Sequence, residues 1–155
     1  MATAQDIMIH DVVSVRSDVS IRDMLLLFAD RKVSGVPVLE DHTRLVGMVT
    51  IGDLLKHLEE HQQPHTIDVF AFVFFYTERK ALPDRVRQVI GEPVRVIMTT
   101  RRLVTVRPET DLDEVADIFA RERFKKLPVV NERKEVVGVI SRGDLIRHIV
   151  RSMLQ

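Results

Sequence analysis

Apolar residues at Ile21, Met24, Leu25 and Phe28 keep the i, i+3, i+4, i+7 spacing of one helical face. Ser20 stands just before the run and Asp23 three residues later, a capping-box pattern that starts a helix at Ser20. The stripe returns as Leu112, Val115, Ala116 and Phe119, behind Asp111 and with Glu114 in the matching place. Leu26 and Leu27 widen the first stripe beyond one face, which predicts burial on more than one side; we read the second side as a dimer contact. Around the helices the pattern turns short and β-branched. Val12-Val13-Ser14-Val15 predicts a strand, and Gly35-Val36-Pro37-Val38-Leu39 a second, whose proline suits its first positions or an edge. Polar Glu40 to Arg44, matched by Asn131 to Glu135, predicts a hairpin turn into a third strand, Leu45 to Val49. Thr50 closes that strand and opens a helix through Leu54, Leu55 and Leu58.

The chain writes this order twice. Gly47-Met48-Val49-Thr50-Ile51-Gly52-Asp53 returns as Gly138-Val139-Ile140-Ser141-Arg142-Gly143-Asp144, 91 positions later, and the register holds from Val13/Val104 to Leu58/Ile149. Two copies are too few for a solenoid and suggest a closed pair. The expected fold is α+β, two β-α-β-β-α repeats packed as a pseudo-twofold pair. Residues 1–61 form the first repeat, 62–95 an inserted linker and 96–155 the second. The apolar hook Ile7-Met8 is echoed by Ile97-Met98. In the insert, Val69 to Tyr76 holds four of the seven phenylalanines and the one tyrosine. Such a stretch packs back over the repeats or forms a contact surface. Pro83 to Ile90 predicts a short helix, stopped by Gly91 and Pro93.

Composition narrows the function. The 155 residues carry 23 basic and 23 acidic side chains, so the net charge is zero and the basic excess of a general nucleic-acid binder is missing. With no cysteine, thiol catalysis and thiolate metal sites are excluded. No basic region precedes an apolar run at the start, and the longest apolar run falls far short of the ~20 residues of a membrane helix. A cytoplasmic protein is the expectation. His57-Leu58-Glu59-Glu60-His61 matches a His-x-x-Glu-His zinc pattern. It falls on the tail of a repeat helix with no third ligand evident, and reads as a polar helix end. Walker loop, serine elbow and a paired acid and base are all missing. The chain reads as a binding module, not an enzyme, with no metal and no required cofactor.

The doubled Gly-x-x-Thr/Ser-x-Gly-Asp carries the candidate chemistry. A hydroxyl at a helix N-cap lies where amide hydrogens and the helix dipole favour an anion. An aspartate one turn in can accept two neighbouring hydroxyls, the geometry of a ribose 2′,3′-diol. The same residues also form capping boxes that need no ligand.

The Val-Pro-Val strand followed by this helix start resembles the cystathionine-β-synthase (CBS) domain, present here as a tandem pair over residues 7–61 and 96–151. The resemblance implies two three-stranded sheets packed together, dimerised through helices. It also implies a regulatory, energy-sensing role in which AMP, ADP, ATP or S-adenosylmethionine binds in clefts between the repeats. Its clefts are built crosswise. One would use Thr50 and Asp53 for phosphate and ribose, Lys125 and Lys126 for phosphate, and Val104, Phe124 and Leu127 around the base. The other would use Ser141, Arg142 and Asp144, with Val13, Val33, Ser34 and Val36 around the base. Because Ser34-Gly35 replaces the lysine pair there, Arg142 would carry the phosphate. The expected partners are an adenosine-type ligand, a second copy of the chain and an effector protein. The alternative is a ligand-free oligomerisation scaffold in which Asp53 and Asp144 only cap helices.

Overall fold

The computed structural model describes residues 1–60, 84–122 and 125–155. The aromatic stretch Val69 to Tyr76, His61, His65 and Phe124 lie outside them. The helices are α1 (Ala4–Ile7), α2 (Ile21–Arg31), α3 (Ile51–Glu60), α4 (Asp84–Ile90), α5 (Leu112–Arg121) and α6 (Arg142–Met153). The strands are β1 (Gly35–Glu40), β2 (Arg44–Thr50), β3 (Lys126–Val130) and β4 (Val136–Ser141). β1 pairs with β2, and β3 with β4.

Two compact units form. One comprises Val15–Val38 and Gly47–Thr100 and is built on the first repeat. The other comprises Met1–Ser14, Leu39–Val46 and Arg101–Gln155 and is built on the second.

In the first-repeat unit, α2 buries Ile21, Met24 and Phe28, three of the four stripe positions. The Ser20 hydroxyl accepts the Asp23 amide hydrogen at 3.0 Å, so the cap falls where the sequence puts it. Lys32 ends the helix in the left-handed region, with φ 54°. Leu26 is 48% exposed, so in the single chain the second apolar side of α2 meets water there. The helix expected at Pro83 to Ile90 is α4, and it packs against α2 with Val86 and Val89 buried. The segment after α4 then lies along the repeat. The Ile21 amide donates to Glu92 O (2.9 Å), and Met48 and Thr99 exchange both backbone bonds (2.9 and 2.8 Å).

The second-repeat unit repeats this plan with residues from the chain's beginning. Leu112, Val115 and Phe119 of α5 join Ala4, Val106, Leu127, Val129, Ile140 and Leu145 in one core. Each valine, leucine, isoleucine or phenylalanine among them contributes about 1.5–3 kcal/mol on full burial. The Leu112 amide donates to Ala2 O (3.2 Å), and Ile9 and Val139 exchange both backbone bonds (2.9 and 3.1 Å). A second cluster gathers Leu39, Val130 and Val136, with Val12, Leu45 and Val139 against it. Asp111 stands at the N-cap of α5 in extended conformation but makes no side-chain cap bond. The Ala2 carbonyl takes the amide of Leu112, the first residue of the helix, and the box expected at Asp111 and Glu114 does not form through the Asp111 side chain.

The first strand expected in each repeat is reduced to one parallel bridge, Val15 to Val38 and Val106 to Val129. Proline explains this. The Val106 amide donates to Pro128 O and the Val106 carbonyl oxygen accepts the Val130 N–H, while the Val15 amide donates to Pro37 O. Extending either ladder toward the N-terminus would need a hydrogen from the proline nitrogen, which has none. No described helix is long and apolar enough to cross a membrane.

The two hooks are seated over glycines. A Cβ on Gly138 would lie 2.5 Å from Met8 Sδ and 3.0 Å from Met8 Cβ. One on Gly47 would lie 3.0 Å from both Met98 Sδ and the Thr99 carbonyl oxygen. We expect Gly138→Ala to cost about 1–3 kcal/mol in urea denaturation by overpacking. Met8→Ala in the same chain should recover part of that loss; strictly additive effects would show that the glycine does not serve the methionine.

Candidate functional site

In the first-repeat unit, β2 passes into α3 with no residue between them. The turn closes on one carboxylate. Asp53 Oδ2 accepts the Thr50 amide hydrogen (2.8 Å) and the Thr50 hydroxyl (3.1 Å), and the Asp53 amide donates back to Thr50 Oγ1 (3.3 Å). The other oxygen, Oδ1, accepts the Thr99 hydroxyl at 3.1 Å. The corner is held to the preceding loop through the Ile51 amide, which donates to Ser34 O at 3.0 Å. A Cβ on Gly52 would meet only Thr50 Oγ1, at 3.4 Å, so the first turn of α3 is open beside the hydroxyl.

The second-repeat unit builds the same corner from β4 and α6. Asp144 Oδ2 accepts the Ser141 amide and hydroxyl hydrogens, both at 2.8 Å, and the Asp144 amide donates to Ser141 Oγ at 3.1 Å. Its Oδ1 accepts a charged donor, Arg147 Nη2, at 2.6 Å. The Asp144 side chain is 8% exposed and that of Arg147 is 63% exposed.

Lys126 opposes Ser141 in the β3–β4 register. Burial holds the Lys126 amine below the usual lysine range, and the Asp144 charge pulls in the opposite direction. The Arg142 amide donates to Lys125 O (3.3 Å) and its guanidinium to Glu122 O (3.3 Å). Lys126 and Arg147 thus lie by Asp144, while the Arg142 guanidinium is turned to Glu122.

The residues expected around a base divide by burial. Val13 and Val104 are half-buried in the second-repeat unit, while in the first-repeat unit Val33 is half-buried and Ser34 exposed. Val36 and Leu127 are fully buried, so only their backbone could meet a ligand. Sequence reasoning missed Thr99 and Arg147. Thr99 follows the echoed hook and reaches Asp53 across 46 positions. Arg147 stands at i+3 from Asp144, a spacing at which helix side chains meet, and could have been found.

His57 reaches Glu92 with its Nε2 at 3.8 Å and is mostly covered, unlike the exposed helix end expected of it. No group of three metal-binding side chains occurs among the described residues. A groove of about 420 Å³ along Asp111, Ala116, Leu145, His148 and Met153 touches none of the four motif residues. The candidate site is thus defined by hydrogen-bonding chemistry at the corners.

Comparisons with known proteins follow the repeat. The CBS domain family matches residues 4–60 and 93–151. An uncharacterized protein of Methanocaldococcus jannaschii is 27% identical, over 94% of this chain and 90% of its own. The chloroplastic CBS domain-containing protein CBSX2 of Arabidopsis thaliana is 32% identical, over 86% of this chain and 56% of its own length. The crystal structure of CBSX2 in complex with AMP matches with a TM-score of 0.73 at 26% identity, covering 99% of both chains. The gamma-3 subunit of the Bos taurus 5′-AMP-activated protein kinase is 27% identical, over 97% of this chain and 27% of that subunit.

Because both hydroxyls cap helices, Ser141→Ala is expected to lower stability by about 1 kcal/mol in urea denaturation. An unchanged midpoint would show that the corner does not depend on the cap.

Proposed function

This chain belongs to the CBS-domain family, and we propose that it is a regulatory module that binds an adenosine nucleotide or a related adenosine derivative. The observation that carries this reading is the doubled corner, a carboxylate one turn into a helix with a hydroxyl and free helix-start geometry beside it. The AMP named in the CBSX2 complex, from a relative 26% identical over nearly the whole chain, supports the ligand class.

In this reading Asp53 and Asp144 each hold a ribose diol, and Thr50 and Ser141 with the helix N-termini face phosphate. Lys125, Lys126 and Arg142 supply positive charge. The base would meet Val104 and Leu127 in one unit, and Val33, Ser34 and Val36 in the other. Where a side chain is fully buried, the base meets peptide edges, which suit adenine's donors and acceptors. No group in either corner is arranged to move a bond of the ligand, so the module reports occupancy and leaves chemistry to others. A second copy of the chain and an effector protein would read that occupancy as a change of dimer geometry. Such a change requires the ligand to prefer one geometry. The half-exposed Leu26 on α2 supports a further contact there.

One observation favours a ligand-free scaffold instead. Both aspartates are already satisfied within their own capping boxes. Thermal unfolding separates the readings. AMP, ATP or S-adenosylmethionine at a hundred times its dissociation constant should stabilise by about 2.7 kcal/mol. That gain should fall in Asp53→Asn and in Asp144→Asn. If no adenosine compound raises the transition, the scaffold is the better account.

A further inference from the structure

The two corners differ in what occupies the second oxygen of the aspartate. At Asp53 it is a neutral hydroxyl, Thr99 Oγ1 at 3.1 Å. At Asp144 it is a guanidinium at 2.6 Å. We infer that Arg147 is an internal latch on the Asp144 corner, which a ribose diol must displace, so that the two corners bind nucleoside with different affinities. This rests on the nucleoside-binding reading above.

One cause is a charge reversal between the repeats. The offset of 91 pairs Arg147 with Lys56 and Arg151 with Glu60. In the first repeat Lys56 leans forward along α3 to Glu60, at 3.9 Å, and leaves Asp53 alone. In the second repeat a cation, Arg151, stands where that carboxylate would be. Arg147 therefore turns back by one helical turn, over Gly143, where a Cβ would lie 3.3 Å from its Nη1. Glycine at 143 leaves the room for this fold-back.

The consequence is chemical. A diol binds a carboxylate by donating two hydroxyl hydrogens. At Asp53 the competing donor is neutral, and its hydroxyl can rotate away. At Asp144 one oxygen already accepts two bonds from Ser141, and the other faces a bidentate-capable cation that also neutralises the charge. Only 8% of the Asp144 side chain meets solvent, so the latch also limits access. Lys126, the other cation felt by Asp144, lies across the β3–β4 register and is common to latched and open states. Arg147 contributes no bond to a ligand here; it acts as a positioning residue through Asp144.

Adenosine carries the diol without a phosphate and isolates the exchange. Its binding should be followed by calorimetry on the full chain carrying Asp53→Asn, so that only the Asp144 corner reports. Arg147→Gln removes the latch. Arg151→Glu leaves Arg147 in place and restores the forward partner found in the first repeat. Each should tighten adenosine by about fivefold, the scale of one surface ion pair, while Arg147→Lys should stay near the starting affinity. If Arg147→Gln and Arg151→Glu both leave adenosine binding unchanged or weaker, the latch is overturned while nucleoside binding stands. If adenosine binds neither the unsubstituted chain nor any variant, the nucleoside reading itself fails and the latch with it.

Discussion

At each strand-to-helix corner one carboxylate must satisfy the amide and hydroxyl hydrogens of the residue three positions before it. With no loop between β2 and α3, or between β4 and α6, those hydrogens go to the carboxylate at both corners. An unmet buried donor costs about 1–3 kcal/mol, so Asp53 and Asp144 are held in place by folding before any ligand arrives. The same requirement aims one oxygen of each carboxylate inward and leaves the other to be claimed. Thr99 claims it in one corner and Arg147 in the other. The choice of second partner is what distinguishes the corners.

The hooks place those partners. The segment ending at Thr99 lies against β2, and the segment ending at Ile9 lies against β4. Thr99 and Ile9 hold the same place in the two arrangements. A hydroxyl is available to Asp53 because the hook carries threonine there; isoleucine gives Asp144 nothing, and Arg147 takes the vacant acceptor. Gly47 and Gly138 make both arrangements possible, because any side chain at these positions would collide with Met98 or Met8. The glycines that open the repeated motif therefore serve the hooks, while Gly52 and Gly143 keep the helix starts uncrowded.

Much of this was legible in the sequence. The spacing of Ile21, Met24 and Phe28, and of Leu112, Val115 and Phe119, identifies the buried faces of α2 and α5, because helical periodicity is local. The boxes at Thr50 and Ser141 are equally local. The reduction of each first strand to a bridge is not legible in the pattern, although Pro37, one of the prolines that cause it, reads as a residue of a strand's first positions or an edge. Which repeat each hook joins was hidden, since a two-residue apolar echo carries no register. Thr99 was hidden for the same reason. The β3–β4 register that sets Lys126 opposite Ser141 was likewise not visible, since pairing across a hairpin depends on where its turn falls. Arg147 needed a comparison of the copies beyond the motif, at the point where Glu60 becomes Arg151.

The central claim is that the two corners hold a nucleoside through their aspartates. Amide chemical shifts of the isotopically labelled chain, followed during titration with AMP, test it most directly. The account predicts saturable shifts at Thr50 and Asp53 and at Ser141 and Asp144, with the Asp144 corner saturating later. Saturable binding that leaves all four amides unmoved, or no binding at any attainable AMP concentration, would contradict it.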